Sequence, residues 1–286
     1  MTKPESDPAT AIAFQGVVGA YSHLACREAY PEMTPLPCAN FEATFGAVTS
    51  GVAALAMIPI ENSVAGRVAD IHHLLPSSGL HIIAEHFQRV NHHLLAAKGT
   101  KPGDLKTVHS HIHALSQCRD LIRELDLKVS IHADTAGAAA DLAASGNHSE
   151  AVIASRLAAE IYGLEILRSD IEDADHNTTR FVVMADEPSD PDPHAGPVMT
   201  TFVFRVRNVP AALYKAMGGF ATNGVNMVKL ESYMLDGDFN ATQFYADIEG
   251  HPAEENVRLA LEELGFFSRY VRVLGVYPAN SFRTSV

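Results

Sequence analysis

Cysteine is scarce: three residues, Cys26, Cys38 and Cys118, in a chain of 286. They form no CxxC and their number is odd, so they read as reduced thiols of a cytoplasmic protein, buried or half-buried, not as a disulfide framework. Positive charge is also short. Lys and Arg number 21 against 34 Asp and Glu, a formal charge of −13, and no basic run offsets it, which argues against a nucleic-acid partner. No apolar run approaches a membrane span, and the leader MTKPESDPAT lacks the apolar core of a secretory signal. The chain has no GxGxxG, no P-loop, no GxSxG elbow and no HExxH, which removes the dinucleotide fingerprint, the NTPase cradle, the hydrolase nucleophile and the zinc-protease helix. The 15 histidines include His72-His73, His92-His93 and the run His109, His111, His113, but none stands at metal-ligand spacing, so no metal is expected. The thiols have no activating context. An acidic chain poses one problem of its own: an anionic ligand would need local positive groups.

Hydrophobic residues make up 47% and charged residues 19%, ample for one large core or two ordinary ones. After the polar, Pro-containing residues 1–10, Ala11 to Phe14 begins a strand. Gly16 and Gly19 allow a turn, Ser22 is placed to cap a helix, and SHLACREAY has helical spacing. A strand, a turn and a helix N-terminus make an anion seat or a plain strand-to-helix turn. AALAMIPI repeats the pattern and stops at Glu61-Asn62-Ser63. Strand ends of this kind line the ligand edge of an open α/β sheet. Leu80 to Ala97 is too long for one strand and reads as a crossing from one lobe to another, with the α/β rhythm continuing to about residue 164. The expected organisation is a two-lobed α/β domain over 9–186, with lobe 1 at 9–84 and 165–186, lobe 2 at 90–164, and mostly parallel sheets. Residues 187–198, rich in Pro and acid, read as a linker. From 199 to 280 the order becomes strand, helix, strand, strand, helix, strand, with Asp236-Gly237-Asp238 as the hairpin turn, which is the α+β ferredoxin-like (βαββαβ) plan.

The stretch facing all this is Asn177 to Met184, NTTRFVVM. Thr178, Thr179 and Arg180 at the lip of a buried strand supply hydroxyl donors beside a fixed positive charge, the equipment to hold a carboxylate and polarise an oxygen. A polar loop with a surface Arg is the competing reading. Together with Ser22, Asn62 and Ser63 they point to a small carboxylate in a cleft, and residue chemistry leaves enzyme and binding protein equally open.

Several stretches carry a resemblance: FQGVVGAYSHLACREAY, IPIENSVAGRV, SHIHALSQC, ASRLAAEIYGLEIL and above all NTTRF resemble prephenate dehydratases, in the same order and spacing. The tail from Thr200 resembles the ACT regulatory domain of those enzymes. The resemblance implies a periplasmic-binding-protein type II-like catalytic domain that converts prephenate to phenylpyruvate, CO₂ and water in phenylalanine biosynthesis, without cofactor or metal. It maps Thr179 to the catalytic threonine and Ser22, Asn62 and Ser63 to the substrate cleft, with Thr178, Arg180 and Phe181 beside them; Arg180 is expected to hold the pyruvyl carboxylate. Glu61 reads either as proton source or as a carboxylate fixing its turn. Ten or so residues before the first strand imply no mutase domain. In the tail, Ala212, Leu213, Asn226, Leu230, Glu231 and Ser232 map to a site for L-phenylalanine between paired ACT domains, implying feedback inhibition in a homodimer or homotetramer. Tyr233-Met234 stand where the family has Arg-Pro, and Ala211 where it has Gly. Arogenate dehydratase and a non-catalytic cytosolic aromatic amino-acid sensor are the rival readings.

Overall fold

Ala11, Ile12, Ala13 and Phe14 are all fully buried, as a strand covered on both faces requires. They begin β1 (Ala11–Gln15) of a computed structural model that describes residues 8–207, 209–235 and 238–284. The first seven residues of the leader, and Asp236 and Gly237 of the expected hairpin turn, lie outside the described residues.

The first lobe continues with α1 (Tyr21–Ala29), β2 (Thr34–Cys38), α2 (Phe41–Thr49), β3 (Leu55–Asn62), β4 (Gly66–Arg67), α3 (Ala69–Leu74) and β5 (His81–Arg89). The chain crosses at 90–92 into a second lobe made of β6 (His93–Ala96), β7 (Thr107–Ser110), α4 (Ile112–Ser116), α5 (Arg119–Glu124), β8 (Lys128–Ile131), α6 (Thr135–Ser145), β9 (Glu150–Ala154), α7 (Arg156–Tyr162) and β10 (Glu165–Arg168). It returns as β11 (Thr178–Ala185), which inserts between β3 and β5 in the order β2-β1-β3-β11-β5, while the second sheet runs β10-β6-β9-β7-β8. Two crossings and this strand order are consistent with the type II binding-protein plan. Two expectations need correction. β10 pairs with β6, so residues 165–168 belong to the second lobe, and β5 keeps residues 85–89 in the first. The sheets are also mixed: β11 runs antiparallel to both β3 and β5, and β6 antiparallel to β9. A strand that returns from the other lobe enters its sheet from the opposite end, a direction that strand–helix alternation does not encode.

Side-chain caps set several of the helix starts. Asn40 accepts from Ala43 N at 2.8 Å, Asp134 from Gly137 N at 2.6 Å and Ser155 from Ala158 N at 3.0 Å, each satisfying a first-turn N–H. Ser22 does not do this for α1. Ala20 is the N-cap residue there, without a side-chain bond, and Ser22 lies one residue inside the helix.

The third unit is β12 (Val198–Val206), α8 (Ala212–Thr222), β13 (Met227–Leu235), β14 (Asp238–Glu249), α9 (Glu255–Phe267) and β15 (Ser268–Pro278), in the sheet order β13-β14-β12-β15, the ferredoxin-like arrangement. Phe202, Phe204, Phe244, Ala246 and Ile248 face the two helices in one core. The opposite face carries Met199, Val203, Tyr245, Leu274 and Tyr277, which share a core with Ile58, Ile60, Ile71, Val182 and Met184 of the first lobe. The third unit is therefore docked through its sheet onto the first lobe, not merely tethered by the Pro-rich segment.

That contact depends on one glycine. A Cβ placed on Gly275 of β15 would lie 2.0 Å from the carbonyl oxygen of Ile82 in β5. Backbone cannot swing aside as a flexible side chain can. Gly275→Ala is expected to lower unfolding stability by about 1–3 kcal/mol, seen as a lower urea midpoint; an unchanged midpoint would mean that the docked face is looser than described.

Candidate active site

Thr179 and Asn62 are register partners across β11 and β3, and Thr179 pairs with Gln88 of β5 on its other side. Directly opposed residues share a face, so the three side chains leave the sheet together. Asn62 Nδ2 donates to Thr179 Oγ1 at 2.9 Å and to Asn177 Oδ1 at 2.8 Å. Its Oδ1 accepts from Val64 N and Ala65 N at 3.0 and 2.8 Å, which fixes the amide orientation. Because Thr179 Oγ1 accepts from Asn62, its own proton is left to be donated elsewhere.

The network then crosses the lobes. Asn177 Nδ2 donates to Gln117 Oε1 at 2.9 Å, Gln117 Oε1 lies 2.9 Å from His92 Nε2, and His92 Nδ1 lies 2.8 Å from Tyr21 OH. Burial holds His92 below its ordinary value, the Gln117 contact and the Glu172 charge opposing only partly. A neutral ring has one N–H to share between Gln117 and Tyr21. Glu172 anchors the crossing itself, accepting from His92 N and Asn91 Nδ2, both at 2.9 Å. Sequence reasoning assigned none of Tyr21, His92, Gln117 and Asn177 to the site, His92 being weighed only as half of a histidine pair; Asn177 opens the NTTRF pentad and Gln117 lies in SHIHALSQC, so position within those stretches was the available signal. A second contact between lobes lies nearby. Ser155 Oγ donates to Gly19 O and Tyr162 OH to Val18 O, both at 2.7 Å, and a Cβ on Gly19 would sit 3.2 Å from Ala158 Cα.

Four of the expected substrate-binding residues are placed otherwise. Phe181 is 1% exposed and packs with Ile12, Phe14 and Cys26 beneath the site; it is core. Ser63 donates to His176 O at 2.6 Å and accepts from Thr178 N at 2.9 Å, pinning the start of β11. Thr178 lies on the other face of β11, in a cavity of about 790 Å³ that Glu61, Phe87 and Phe282 line together with the expected residues Asn62, Ser63 and Arg180. Arg180 is the largest departure. It is 3% exposed and donates to Glu85 Oε2 at 2.9 Å, Glu61 Oε1 at 3.1 Å, Asp247 Oδ2 at 2.5 Å and Tyr277 OH at 3.0 Å. A strand alternates its side chains, so the residue after Thr179 points away from Thr179's face. The expectation that Arg180 holds a substrate carboxylate is therefore corrected: three protein carboxylates already share its guanidinium.

Glu61 is settled by the same cluster. Burial alone would raise it, but the Lys229 ammonium 2.5 Å away and Arg180 outweigh burial and hold it below the ordinary carboxylate range. It stays ionised, on the face opposite Thr179, and is no proton source for that face. Burial disfavours the thiolate at all three cysteines, pushing Cys26 up to about 12 and raising Cys38 and Cys118 as well.

Histidine sets the acid limit. His23 Nδ1 accepts from Gly19 N at 3.0 Å while its ring stacks on Phe14. His72 packs edge-on against Tyr245 of the third unit, its Nε2 buried without a hydrogen-bond partner among the described residues. Burial lowers His23, His72, His92 and His93 below the ordinary value. Groups with a lowered folded value add stability that is complete above the unfolded value, about 6.5 for His, and shrinks as pH falls toward the folded value. The urea midpoint is thus expected to be level at about pH 7.5 and to fall from about pH 6.5 downward, before carboxylates titrate; a flat midpoint to about pH 5 would contradict it.

The site residues lie within a region matched as a whole. The prephenate dehydratase family model covers residues 12–189. A relative from Komagataeibacter europaeus, named bifunctional N-acyl-homoserine lactone acylase/prephenate dehydratase, is 54% identical over 95% of this chain and 97% of its own length. The chloroplastic arogenate dehydratase/prephenate dehydratase 1 of Arabidopsis thaliana is 38% identical over 97% of this chain and 74% of its own. The solved structure of prephenate dehydratase from Arthrobacter aurescens in complex with L-Phe has a TM-score of 0.86 at 30% identity, covering 94% of this chain and 90% of that one. Three sources of likeness, each spanning both lobes and the β11 strand that carries Thr179, agree: the chain belongs to the prephenate dehydratase family.

Proposed function

We propose that the chain converts prephenate to phenylpyruvate, CO₂ and water, with Thr179 as the catalytic hydroxyl. The carrying observation is the bond from Asn62 Nδ2 to Thr179 Oγ1, which turns the hydroxyl proton away from its own strand pair. In the reaction the bond between ring and carboxylate breaks, its electron pair enters the ring, and the C–O bond opposite breaks to release hydroxide, which leaves as water once protonated. A Thr hydroxyl is too weak an acid to protonate outright. It donates a hydrogen bond that strengthens as charge grows on the departing oxygen. With Arg180 committed elsewhere, the pyruvyl carboxylate is assigned to the first turn of α1, where Ser22 adds a hydroxyl to N–H groups left unpaired by the helix start. Formation of phenylpyruvate from prephenate, followed by its absorbance, tests this; assaying arogenate beside it separates the two substrates, and no turnover of either overturns the dehydratase reading and favours a sensor.

The C-terminal unit is proposed as an ACT regulatory domain binding L-phenylalanine. Ala212 and Leu213 open α8, Asn226 precedes β13, and Leu230, Glu231 and Ser232 lie along it. β13 is an edge strand whose Val228, Leu230 and Met234 are exposed, the kind of face a second copy covers in a homodimer or homotetramer. Inhibition by L-phenylalanine, with heat on titration, supports it.

A second reading has one specific support, the 54% identity to a relative whose name adds N-acyl-homoserine lactone acylase. On it, water cleaves the amide of an N-acyl-homoserine lactone to a fatty acid and homoserine lactone. Mass spectrometry that finds neither product after prolonged incubation would rule it out.

A further inference from the structure

Two neighbouring rungs of the β3–β11 pair face opposite ways. On one, Asn62 opposes Thr179; on the next, Glu61 opposes Arg180, and a register irregularity follows between Arg180 and Phe181. The first rung sets the hydroxyl. The second is held by the C-terminal unit: Asp247 Oδ2 and Tyr277 OH on Arg180 at 2.5 and 3.0 Å, and Lys229 Nζ on Glu61 Oε2 at 2.5 Å. The charges balance only across the domain boundary. Arg180, Glu61 and Glu85 come from the first lobe, while Asp247, Lys229 and Arg283 come from the C-terminal part, Arg283 reaching Glu85 at 2.6 Å. Three positive groups meet three negative ones, and Arg180, Glu85 and Asp247 are almost wholly buried. Such a cluster tolerates little displacement, because each charge left unpaired out of water is costly. Lys229 also belongs to the strand of the proposed ligand site: its ammonium is 3.3 Å from Glu231, and Arg67 of the first lobe donates to Ser232 O at 2.7 Å.

From this juxtaposition we infer that Lys229 and Arg180 are positioning residues through which the pose of the C-terminal unit sets the geometry of Thr179. A shift of β13 moves Glu61 through Lys229. A shift of β14 or β15 moves Arg180 through Asp247 or Tyr277. Either displaces the adjoining Asn62–Thr179 rung through the backbone they share. The inference rests on the reading of Thr179 as the catalytic hydroxyl, and it makes the proposed phenylalanine site an input to that hydroxyl.

The test uses the full chain. Lys229→Met, in a different unit from Thr179, is expected to lower kcat about tenfold with KM nearly unchanged, since small misplacement of a reacting group costs rate before affinity. Lys229→Arg, which keeps a positive group at Glu61, should recover most of it. Thermal unfolding is recorded for each variant. A Lys229→Met enzyme with wild-type kcat overturns the inference, as does one whose lost activity only matches its unfolded fraction. Thr179→Ala is run in parallel: inactive Thr179→Ala beside fully active Lys229→Met overturns the inference alone, whereas fully active Thr179→Ala overturns the reading of the site as well. With L-phenylalanine, each enzyme is first titrated by calorimetry and then compared at equal occupancy, where Lys229→Met should be inhibited less than wild type; equal inhibition of the two at equal occupancy counts against the coupling.

Discussion

Thr179→Ala is expected to lower kcat by about 10²–10⁴-fold, the range for loss of a positioned proton or hydrogen-bond donor, with KM changed only a few-fold. The asymmetry follows from when the hydrogen bond matters. In bound prephenate the ring hydroxyl is neutral and can be satisfied by water; as the C–O bond opens, charge gathers on the oxygen and a fixed donor gains strength. Asn62 Nδ2 holds the acceptor side of Thr179 Oγ1 at 2.9 Å, so the hydroxyl has little freedom to turn away. Thr179→Ser keeps the hydroxyl on the same strand and should retain most of the turnover, losing only the rotamer restraint of the methyl group. Steady-state kinetics of the three enzymes decide it: if Thr179→Ala turns over near the wild-type rate, Thr179 does not supply the donor.

The two-lobed course and the ferredoxin-like tail were legible because both are written in periodicity and punctuation. Leu80 to Ala97 is too long for a strand, and it is indeed β5, a crossing and β6. Strand direction was not legible, since β11 reads alike whether it runs with or against β3. In the site, Thr179 and Asn62 could be paired by resemblance, and the structure places them in contact. Arg180 misled because alternation along β11 puts consecutive residues on opposite faces. A residue beside the catalytic hydroxyl in sequence is therefore across the sheet from it. Its partners Glu85, Asp247 and Tyr277 lie 95, 67 and 97 residues away, and no local pattern announces such a cluster. Ser63 failed for a related reason. A turn hydroxyl serves its own backbone as readily as a ligand, and here it is spent on His176 and Thr178.

Arg180→Met separates an anchor of the fold from an anchor of the substrate. If Arg180 held a carboxylate of prephenate, its loss would raise KM and leave unfolding alone. The structure requires the reverse: a fall in unfolding stability of about 3–5 kcal/mol, the usual result of removing one partner from buried ion pairs. Glu85 keeps Arg283, whose guanidinium meets both its oxygens at 2.6 and 2.8 Å. Asp247 fares worse. Its side chain is fully buried, and among the described residues what remains to it without Arg180 is the 2.6 Å hydrogen bond from Thr201. Asp247 is held below the ordinary carboxylate range because Arg180, with help from Thr201, outweighs its burial; with Arg180 gone, burial prevails and the carboxyl takes up a proton or drags water inward. Asp247→Asn placed on Arg180→Met removes the stranded charge while keeping the shape, so the double variant should be more stable than Arg180→Met alone, a non-additivity expected only of residues in contact. Urea unfolding of the two single variants and the double, with KM measured on whatever remains folded, decides between the roles: an Arg180→Met enzyme of wild-type stability and raised KM would return the guanidinium to the substrate.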